Sequence, residues 1–345
     1  MAHRKVAYAP RIRPVAALLA LLLAAPAVVA AASAVPTAAA PAAAPAATTA
    51  PSATGSVPVA ADPTPYRFRT VEGAGGVPLN VVSVGDPKNP PILLIHGLAQ
   101  SYLAFEPQFR SALAERFHLV AFDLRGHGNS GKPWERTAYS DAKTWGEDVA
   151  RVVAALELKR PVILGWSYGT LVAVDYLRTA GADAVAGLVT TGAYGGLTPP
   201  PPMTALPPEF VRIRERQLAP DLEQNYAAAR ATAPRLTAKP MPQAWLDRTV
   251  AIALMLPRAA REGMFMRPLD SRDLLPRLQA LPALIVVGGK DTSTPEATAR
   301  ELAKQLPKSR VSVYPEDGHS PFLESPERFN RELLEFALAA HGLKP

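Results

Sequence analysis

A serine flanked by glycines stands directly after a short apolar run in the middle of the chain. The residues Gly165-Trp166-Ser167-Tyr168-Gly169 follow Pro161-Val162-Ile163-Leu164, and a stretch with helical spacing comes next. A serine on a sharp turn between a strand and a helix holds its hydroxyl clear of the sheet, where it can attack a carbonyl. Five letters can match by chance, but the strand before and the helix after favour a nucleophilic Ser167.

A serine hydroxyl needs a base within reach, and the base needs an acid that orients it. Among six histidines, His319 is our candidate base because its loop directly follows the last predicted strand. Asp291 is our candidate acid because it ends the strand before that one. Asp317 is a rival acid, although two residues from His319 its side chain must fold back tightly. The alternatives are a solvated loop histidine at 319 and a helix-capping aspartate at 291.

Acyl transfer also requires N–H groups that bind the negatively charged oxygen of the intermediate. One is the backbone N–H of the residue after the nucleophile, Tyr168. The second should come from the loop His96-Gly97-Leu98-Ala99, where we choose the N–H of Leu98. We interpret His96 and His127 as structural residues that bind loop backbone.

The folded part of the chain alternates strand-like and helix-like segments. The strand-like segments are residues 66–71, 79–84, 92–95, 118–122, 162–164, 185–190, 284–287 and 311–314. The first two segments alternate polar and apolar residues and predict a β-hairpin. Several later segments are continuous apolar runs, which are typical of strands buried on both faces. Residues 144–156 and a segment from about Pro326 have helical spacing. This order predicts an α/β fold, with a mostly parallel central sheet and helices on both faces.

The alternation stops between about residues 197 and 277, which predicts a helical cap inserted between two strands. The cap carries several large apolar side chains, which either form its own core or line a site for an acyl or alkyl group. They are Trp245, Met255, Met264, Phe265 and Met266.

Five motifs in this order resemble the successive signatures of the α/β-hydrolase superfamily. They are His96-Gly97-Leu98, Asp123-Leu124-Arg125-Gly126-His127-Gly128-Asn129-Ser130, Gly165-Trp166-Ser167-Tyr168-Gly169, Gly288-Gly289-Lys290-Asp291 and Gly318-His319-Ser320-Pro321. The resemblance covers about residues 66–340 and implies the α/β-hydrolase fold with an eight-stranded sheet, a lid, a Ser-Asp-His triad and no cofactor. The branch that the chain resembles is the cap-bearing, esterase- or lactonase-like branch with a serine nucleophile.

Departures from the patterns of particular branches reduce the number of reactions that the resemblance implies. Ser167 argues against the haloalkane dehalogenases and epoxide hydrolases, which use an aspartate nucleophile. Cofactor-free perhydrolases usually have methionine after the nucleophile, where this chain has Tyr168. The single His96-Gly97 lacks the extended glycine run of the hormone-sensitive-lipase type.

One motif imitates a phosphate-binding loop. Residues 126–132 fit the pattern G-x-x-x-x-G-K, but Pro133 stands where that loop needs a Ser or Thr hydroxyl for Mg²⁺. No H-E-x-x-H or C-x-x-C ligand set occurs in the sequence. We therefore expect neither a nucleotide cofactor nor a bound metal.

The N-terminal region has the pattern of an export signal. Four basic residues precede an apolar run rich in alanine and leucine, and Ala32-Ser33-Ala34 offers a cleavage site. We predict a signal peptide over residues 1–34, a disordered Ala/Pro/Thr linker over 35–64 and a hydrolase domain over 65–345. An uncleaved N-terminal anchor is the alternative. Cleavage would leave no stable membrane span and a secreted or periplasmic protein.

The net charge gives no clue to a binding partner. The formal charge is +7, but residues 1–34 hold four basic and no acidic residues, which leaves 33 basic against 30 acidic residues, or +3, in the remainder. We expect no nucleic-acid partner. The absence of cysteine excludes disulfides and a lipidated cysteine anchor, and the sequence does not indicate an oligomeric state.

These observations predict an exported serine hydrolase that cleaves a small or medium carboxylic ester or a lactone through an acyl-enzyme. Amide hydrolysis, carbon–carbon bond hydrolysis and perhydrolysis use the same residues and remain alternatives. A catalytically inactive hydrolase fold that serves as a binding module is a further one.

Overall fold

The computed structural model describes residues 66–199, 208–291 and 293–344, and these contain one eight-stranded sheet. The strands are β1 (Arg67–Glu72), β2 (Pro78–Val84), β3 (Pro91–Ile95), β4 (His118–Phe122), β5 (Val162–Trp166), β6 (Gly187–Thr191), β7 (Ala283–Gly288) and β8 (Ser309–Tyr314). Their order is β1-β2-β4-β3-β5-β6-β7-β8. β1 pairs antiparallel with β2, and β2 with β4, whereas every other pair is parallel.

The helices of the described residues cover both faces of the sheet and form an insertion between β6 and β7. They are α1 (Glu106–Phe109), α2 (Leu113–Arg116), α3 (Ala142–Ala155), α4 (Tyr168–Ala180), α5 (Pro208–Leu218), α6 (Leu222–Thr232), α7 (Gln243–Leu254), α8 (Arg258–Met266), α9 (Glu296–Gln305), α10 (Pro321–Glu324) and α11 (Pro326–Ala340). Helices α5 to α8 are the insertion, which we call the cap.

The central strands are apolar throughout because each of their faces packs against a different core. In β3, Leu93 and Ile95 belong to the core under α3, α4 and α9, while Ile92 and Leu94 belong to the core under α1, α10 and α11. All four side chains are fully buried, and each such burial contributes about 1.5–3 kcal/mol relative to exposure. Two-sided burial is therefore the physical reason for the continuous apolar runs.

The sequence predictions of fold class and of individual strands are confirmed. All eight strands lie within two residues of their predicted bounds, and the first two form the predicted hairpin. The helix from Pro326 is also present. The predicted signal peptide and linker lie outside the described residues. No helix in the described ranges is long and apolar enough to cross a membrane.

The parallel strands place their carboxyl ends at one edge of the sheet. Ligand sites of open α/β sheets lie outside this edge. The loops that follow β3, β5, β6, β7 and β8 all begin there, and they contain the candidate site residues.

Candidate active site

Ser167 occupies a strained turn between β5 and α4. Its φ of 55° and ψ of −120° are rare for a residue with a side chain, and such strain persists only where the surroundings enforce it. Two backbone bonds do so, from Ser167 N–H to the Thr191 carbonyl at 2.8 Å and from Thr170 N–H to the Ser167 carbonyl at 3.0 Å.

The glycines on both sides of the turn are required by close packing. A Cβ at Gly165 would lie 2.4 Å from the Cα of Thr170, and one at Gly169 would lie 2.1 Å from the Ile95 carbonyl oxygen. Real Cβ contacts are not this short. The Gly-x-Ser-x-Gly pattern is therefore a packing requirement of a helix start pressed against β3.

His319 and Asp291 form a buried pair at the same sheet edge. Asp291 Oδ2 lies 2.8 Å from His319 Nδ1, and both side chains are almost fully buried. The carboxylate also accepts hydrogen bonds from Ser293 N–H at 2.9 Å and from the hydroxyls of Ser293 and Thr294, both at 2.5 Å. Burial works to raise the pKa of Asp291, but His319 and these donors outweigh it and hold the pKa below its ordinary value.

Ser167 Oγ and His319 Nε2 are both buried, and neither has a hydrogen-bond partner among the residues that the structure describes. The residues that carry them both contact the segment Thr191-Gly192 at the end of β6. The Thr191 carbonyl binds the Ser167 N–H, and a Cβ built on Gly192 would lie 3.1 Å from His319 Nε2. A buried polar atom without a partner costs about 1–3 kcal/mol, so two such atoms beside the same segment indicate a site that a substrate completes. Serine–histidine bonds of this kind often tighten only when substrate is present.

Asp317, the rival acid, is turned away from the imidazole. Its Oδ1 lies 2.6 Å from Lys239 Nζ in the cap, and it makes no hydrogen bond to His319. Glu324 holds the same loop in place, since its carboxylate accepts from the N–H groups of Gly318 at 2.9 Å and Ser320 at 3.3 Å. It also accepts from the cap at Ala238 N–H, at 2.7 Å. The sequence did not predict this role of Glu324, because its partner in the cap, Ala238, lies 86 positions away.

The loop after β3 packs directly against the serine. A Cβ at Gly97 would lie 3.1 Å from Ser167 Cβ, so a larger residue at this position would crowd Ser167. His96 braces this loop: its Nε2 accepts from Leu124 N–H at 3.0 Å, which leaves Nδ1 to donate to the Gly97 carbonyl at 2.8 Å. Burial lowers the pKa of His96 against the opposing effect of Asp123. These contacts agree with a structural role for His96, and they put Leu98 one residue beyond the contact with Ser167.

The loop that resembles a phosphate-binding site is filled by its own side chains. The Asp123 carboxylate accepts from Asn129 N–H at 2.8 Å and from Tyr102 N–H at 2.9 Å. Lys132 Nζ donates to the carbonyls of Gly128 at 2.6 Å and Ser130 at 3.0 Å. The glycines and lysine of the motif thus serve the folding of the loop.

An ion pair beside Tyr168, which the sequence did not predict, connects α4 to the cap. Arg267, just after α8, donates two hydrogen bonds to Asp175 of α4 at 2.7 and 2.6 Å, and another to the Tyr168 hydroxyl at 3.2 Å. All three side chains are buried. Burial raises the pKa of Tyr168 to about 12, so its hydroxyl is neutral and free to accept. The pair fixes the end of the cap over the first turn of α4.

A cavity of about 50 Å³ lies between the cap and the loop after β3. Its wall includes Leu98 and Phe265. Of the other cap residues singled out in the sequence, Met264 is buried in the main core, whereas Met255 and Met266 are 43% and 50% exposed. The interpretation of these two methionines as cap core or pocket lining is therefore wrong, because both lie on the outer surface. Periodicity could not distinguish the two faces of such short helices.

Within the described ranges, no group of three or more His, Cys, Asp or Glu side chains could hold a metal ion. The polar residues at the sheet edge are instead a serine, an Asp–His pair and backbone N–H groups. This set of residues suits nucleophilic acyl transfer.

A sheet of this order, with a serine on the turn after β5 and an Asp–His pair after β7 and β8, defines the architecture of an α/β-hydrolase. Residues 92–332 match the model of the alpha/beta hydrolase family, and the chain belongs to this family.

Three relatives illustrate the similarity. The chain is 27% identical over 259 residues to the AB hydrolase superfamily protein YisY of Bacillus subtilis (strain 168), covering 72% of this chain and 91% of the relative. It is 28% identical over 257 residues to the pimeloyl-(acyl-carrier protein) methyl ester esterase of Vibrio vulnificus (strain YJ016), covering 72% and 95%. The crystal structure of esterase RhEst1 from Rhodococcus sp. ECU1013 superimposes with a TM-score of 0.68 at 31% identity, covering 78% and 98%.

Proposed function

We propose that the protein hydrolyses small or medium carboxylic esters or lactones through an acyl-enzyme on Ser167. The observation that carries the proposal is the pair of unpartnered buried atoms, Ser167 Oγ and His319 Nε2, beside the 2.8 Å contact of His319 with Asp291. The esterases among the relatives support the ester as substrate class.

In the first step, His319 Nε2 accepts the hydroxyl proton while Ser167 Oγ attacks the ester carbonyl carbon. Asp291 keeps the other imidazole proton on Nδ1, so that Nε2 is free to accept, and its negative charge stabilises the imidazolium that forms. The lowered pKa of Asp291 keeps this carboxylate ionised at neutral pH.

The negative charge on the carbonyl oxygen then requires donors. The N–H of Tyr168 lies at the first turn of α4, where the helix dipole favours a negative charge, and the N–H of Leu98 would approach from the loop after β3. Collapse of the intermediate breaks the bond to the alcohol, which takes the proton from His319. A water molecule, deprotonated by His319, then attacks the acyl carbonyl carbon. The bond from that carbon to Ser167 Oγ breaks, His319 returns the proton to Oγ, and the acid is released.

A panel of 4-nitrophenyl esters of graded acyl length tests this reaction class. We expect turnover of short and medium esters and covalent labelling of Ser167 by a fluorophosphonate, with the label located by peptide mass spectrometry. Parallel reactions with an anilide and with added peroxide separate amidase and perhydrolase activity. Absence of both turnover and labelling would contradict the proposal and favour an inactive binding module.

We also propose that the protein is exported, on the basis of the basic and apolar pattern of residues 1–34. When the full chain is produced in a bacterium, the protein recovered outside the cytoplasm should begin near residue 35 by N-terminal sequencing. A chain that retains residues 1–34 and sediments with the membranes would instead support the uncleaved anchor.

A further inference from the structure

Arg261 of α8 is a buried cation with only neutral partners. The residue is 7% exposed. Its Nη1 donates to the Gln217 carbonyl at 2.9 Å and to Asn225 Oδ1 at 2.7 Å, and its Nη2 donates to the Ala253 carbonyl at 3.3 Å. The buried arginines Arg125 and Arg267 each have a carboxylate at 2.6 Å, but no ion pair of the described residues includes Arg261.

Within the described ranges, no carboxylate pairs with Arg261. Asn225 cannot turn its amide, because Nδ2 donates to the carbonyls of Arg216 at 2.8 Å and Ala219 at 3.0 Å, which fixes Oδ1 towards Arg261. Burial without a carboxylate lowers the pKa of Arg261, and an unpaired buried charge is costly unless a ligand neutralises it.

Arg261 lines the cavity that adjoins the loop after β3. The same wall contains Leu98 and Gln100 of that loop, together with Gln217, whose Oε1 is buried without a hydrogen-bond partner. At about 50 Å³ the cavity has room for a group of a few heavy atoms. A buried cationic side chain and a residue with an unpartnered polar atom thus line one small space beside the loop after β3.

We propose that Arg261 forms a subsite for a carboxylate of the substrate, so that the preferred substrates are monoesters of dicarboxylic acids. The guanidinium would bind the free carboxylate in the cavity while the ester carbonyl lies between Ser167 and the N–H of Leu98. This inference rests on the proposed ester hydrolysis and adds the chemical class of the acyl group. Arginine suits the role because its planar fork matches a carboxylate and it stays charged when buried.

The mono-4-nitrophenyl esters of succinate, glutarate and adipate test the subsite, each against the neutral ester of equal acyl carbon number. We expect a higher kcat/KM for at least one anionic ester than for its neutral partner. In Arg261→Gln the ratio of anionic to neutral kcat/KM should fall roughly 10- to 100-fold, as expected for the loss of a hydrogen bond between charged groups. In Arg261→Lys this ratio should lie between those of the wild type and Arg261→Gln, since lysine keeps the charge but cannot form two parallel hydrogen bonds to a carboxylate.

Arg258→Gln is the matched control. It removes a positive charge from the same helix, but Arg258 is half-exposed and pairs with Glu262 at the surface. Its ratio of anionic to neutral kcat/KM should equal that of the wild type. Arg261 also connects α5, α6 and α7 to α8, and a purely structural role would lower both activities equally in Arg261→Gln. An unchanged ratio in that variant would therefore overturn the subsite.

A binding measurement separates this inference from the proposed function. Free succinate, glutarate and adipate are titrated into Ser167→Ala and into Ser167→Ala/Arg261→Gln by calorimetry, which needs no turnover. Binding to the first variant that weakens at least tenfold in the second supports the subsite even if no ester is hydrolysed. Equal binding to both, or binding to neither, would overturn it even if the neutral esters are hydrolysed.

Discussion

Replacing Ser167 with alanine should lower turnover of the best ester by at least about 10⁴-fold, because the variant has no atom that can form the acyl-enzyme. The KM should change little, since the cavity, the loop after β3 and the cap keep their contacts. Activity is measured with the 4-nitrophenyl ester that the wild type hydrolyses fastest, and fluorophosphonate labelling should disappear at the same time.

The fold of this variant should survive intact. The bonds that hold the turn, to Thr191 and Thr170, use the backbone of Ser167 and not its hydroxyl. The hydroxyl oxygen is buried without a partner, so its removal relieves a desolvation cost. We expect a thermal midpoint equal to or above that of the wild type, as is common where function and stability conflict.

Ser320→Ala is the matched control for this experiment. Ser320 is also fully buried with an unpartnered Oγ, and it lies next to His319 in sequence, but the proposed mechanism gives its hydroxyl no role. Its turnover should stay within a few-fold of the wild type. Turnover in Ser167→Ala above about 1% of the wild type, or an equal loss in Ser320→Ala, would show that Ser167 is not the nucleophile.

The fold could be predicted because its physical cause is local in sequence. A strand covered on both faces must be apolar at every position, as in β3, and a turn pressed against that strand must have glycine at 165 and 169. The loops after parallel strands meet at one edge whatever their side chains are. The nearness of residues 167, 291 and 319 follows from this topology alone.

The contacts of the cap could not be predicted, because they join residues that are far apart in sequence. Arg267 meets Asp175 across 92 positions, and Lys239 meets Asp317 across 78. No periodicity encodes such pairs. Arg261 is likewise one of two arginines on α8, and only its burial beside Asn225 distinguishes it from the exposed Arg258.

The two candidate acids, Asp291 and Asp317, are distinguished by the partners of their carboxylates in the structure. Asp291 and Asp317 both lie in loops at the carboxyl edge of the sheet, and both are buried. The carboxylate of Asp291 reaches His319 Nδ1, whereas that of Asp317 lies against Lys239. Because Asp317 is only two residues from His319, the backbone would have to fold back sharply to bring its carboxylate to the imidazole. The hydrogen bond from Lys290 N–H to the Asp317 carbonyl instead holds the backbone of Asp317 beside the loop after β7.

Asp291→Asn should therefore lower kcat by about 10⁴-fold with little change in KM. An asparagine can turn its amide N–H groups towards Nδ1, which would leave the imidazole proton on Nε2 and block acceptance of the serine proton. It also removes the charge that stabilises the imidazolium. Because Asp291 is buried behind His319 and lines no wall of the cavity, the effect should fall on the chemical step.

Asp317→Asn is the control, since it removes the same charge from a buried carboxylate at the same edge of the sheet. We expect a lower thermal midpoint, because Lys239 loses its ion-pair partner, but a kcat within about tenfold of the wild type at a temperature where both proteins are folded. Steady-state kinetics and circular dichroism on the two variants decide the assignment. A larger loss of kcat in Asp317→Asn than in Asp291→Asn would reverse it, because the acid that orients His319 must be the one whose removal slows the chemistry.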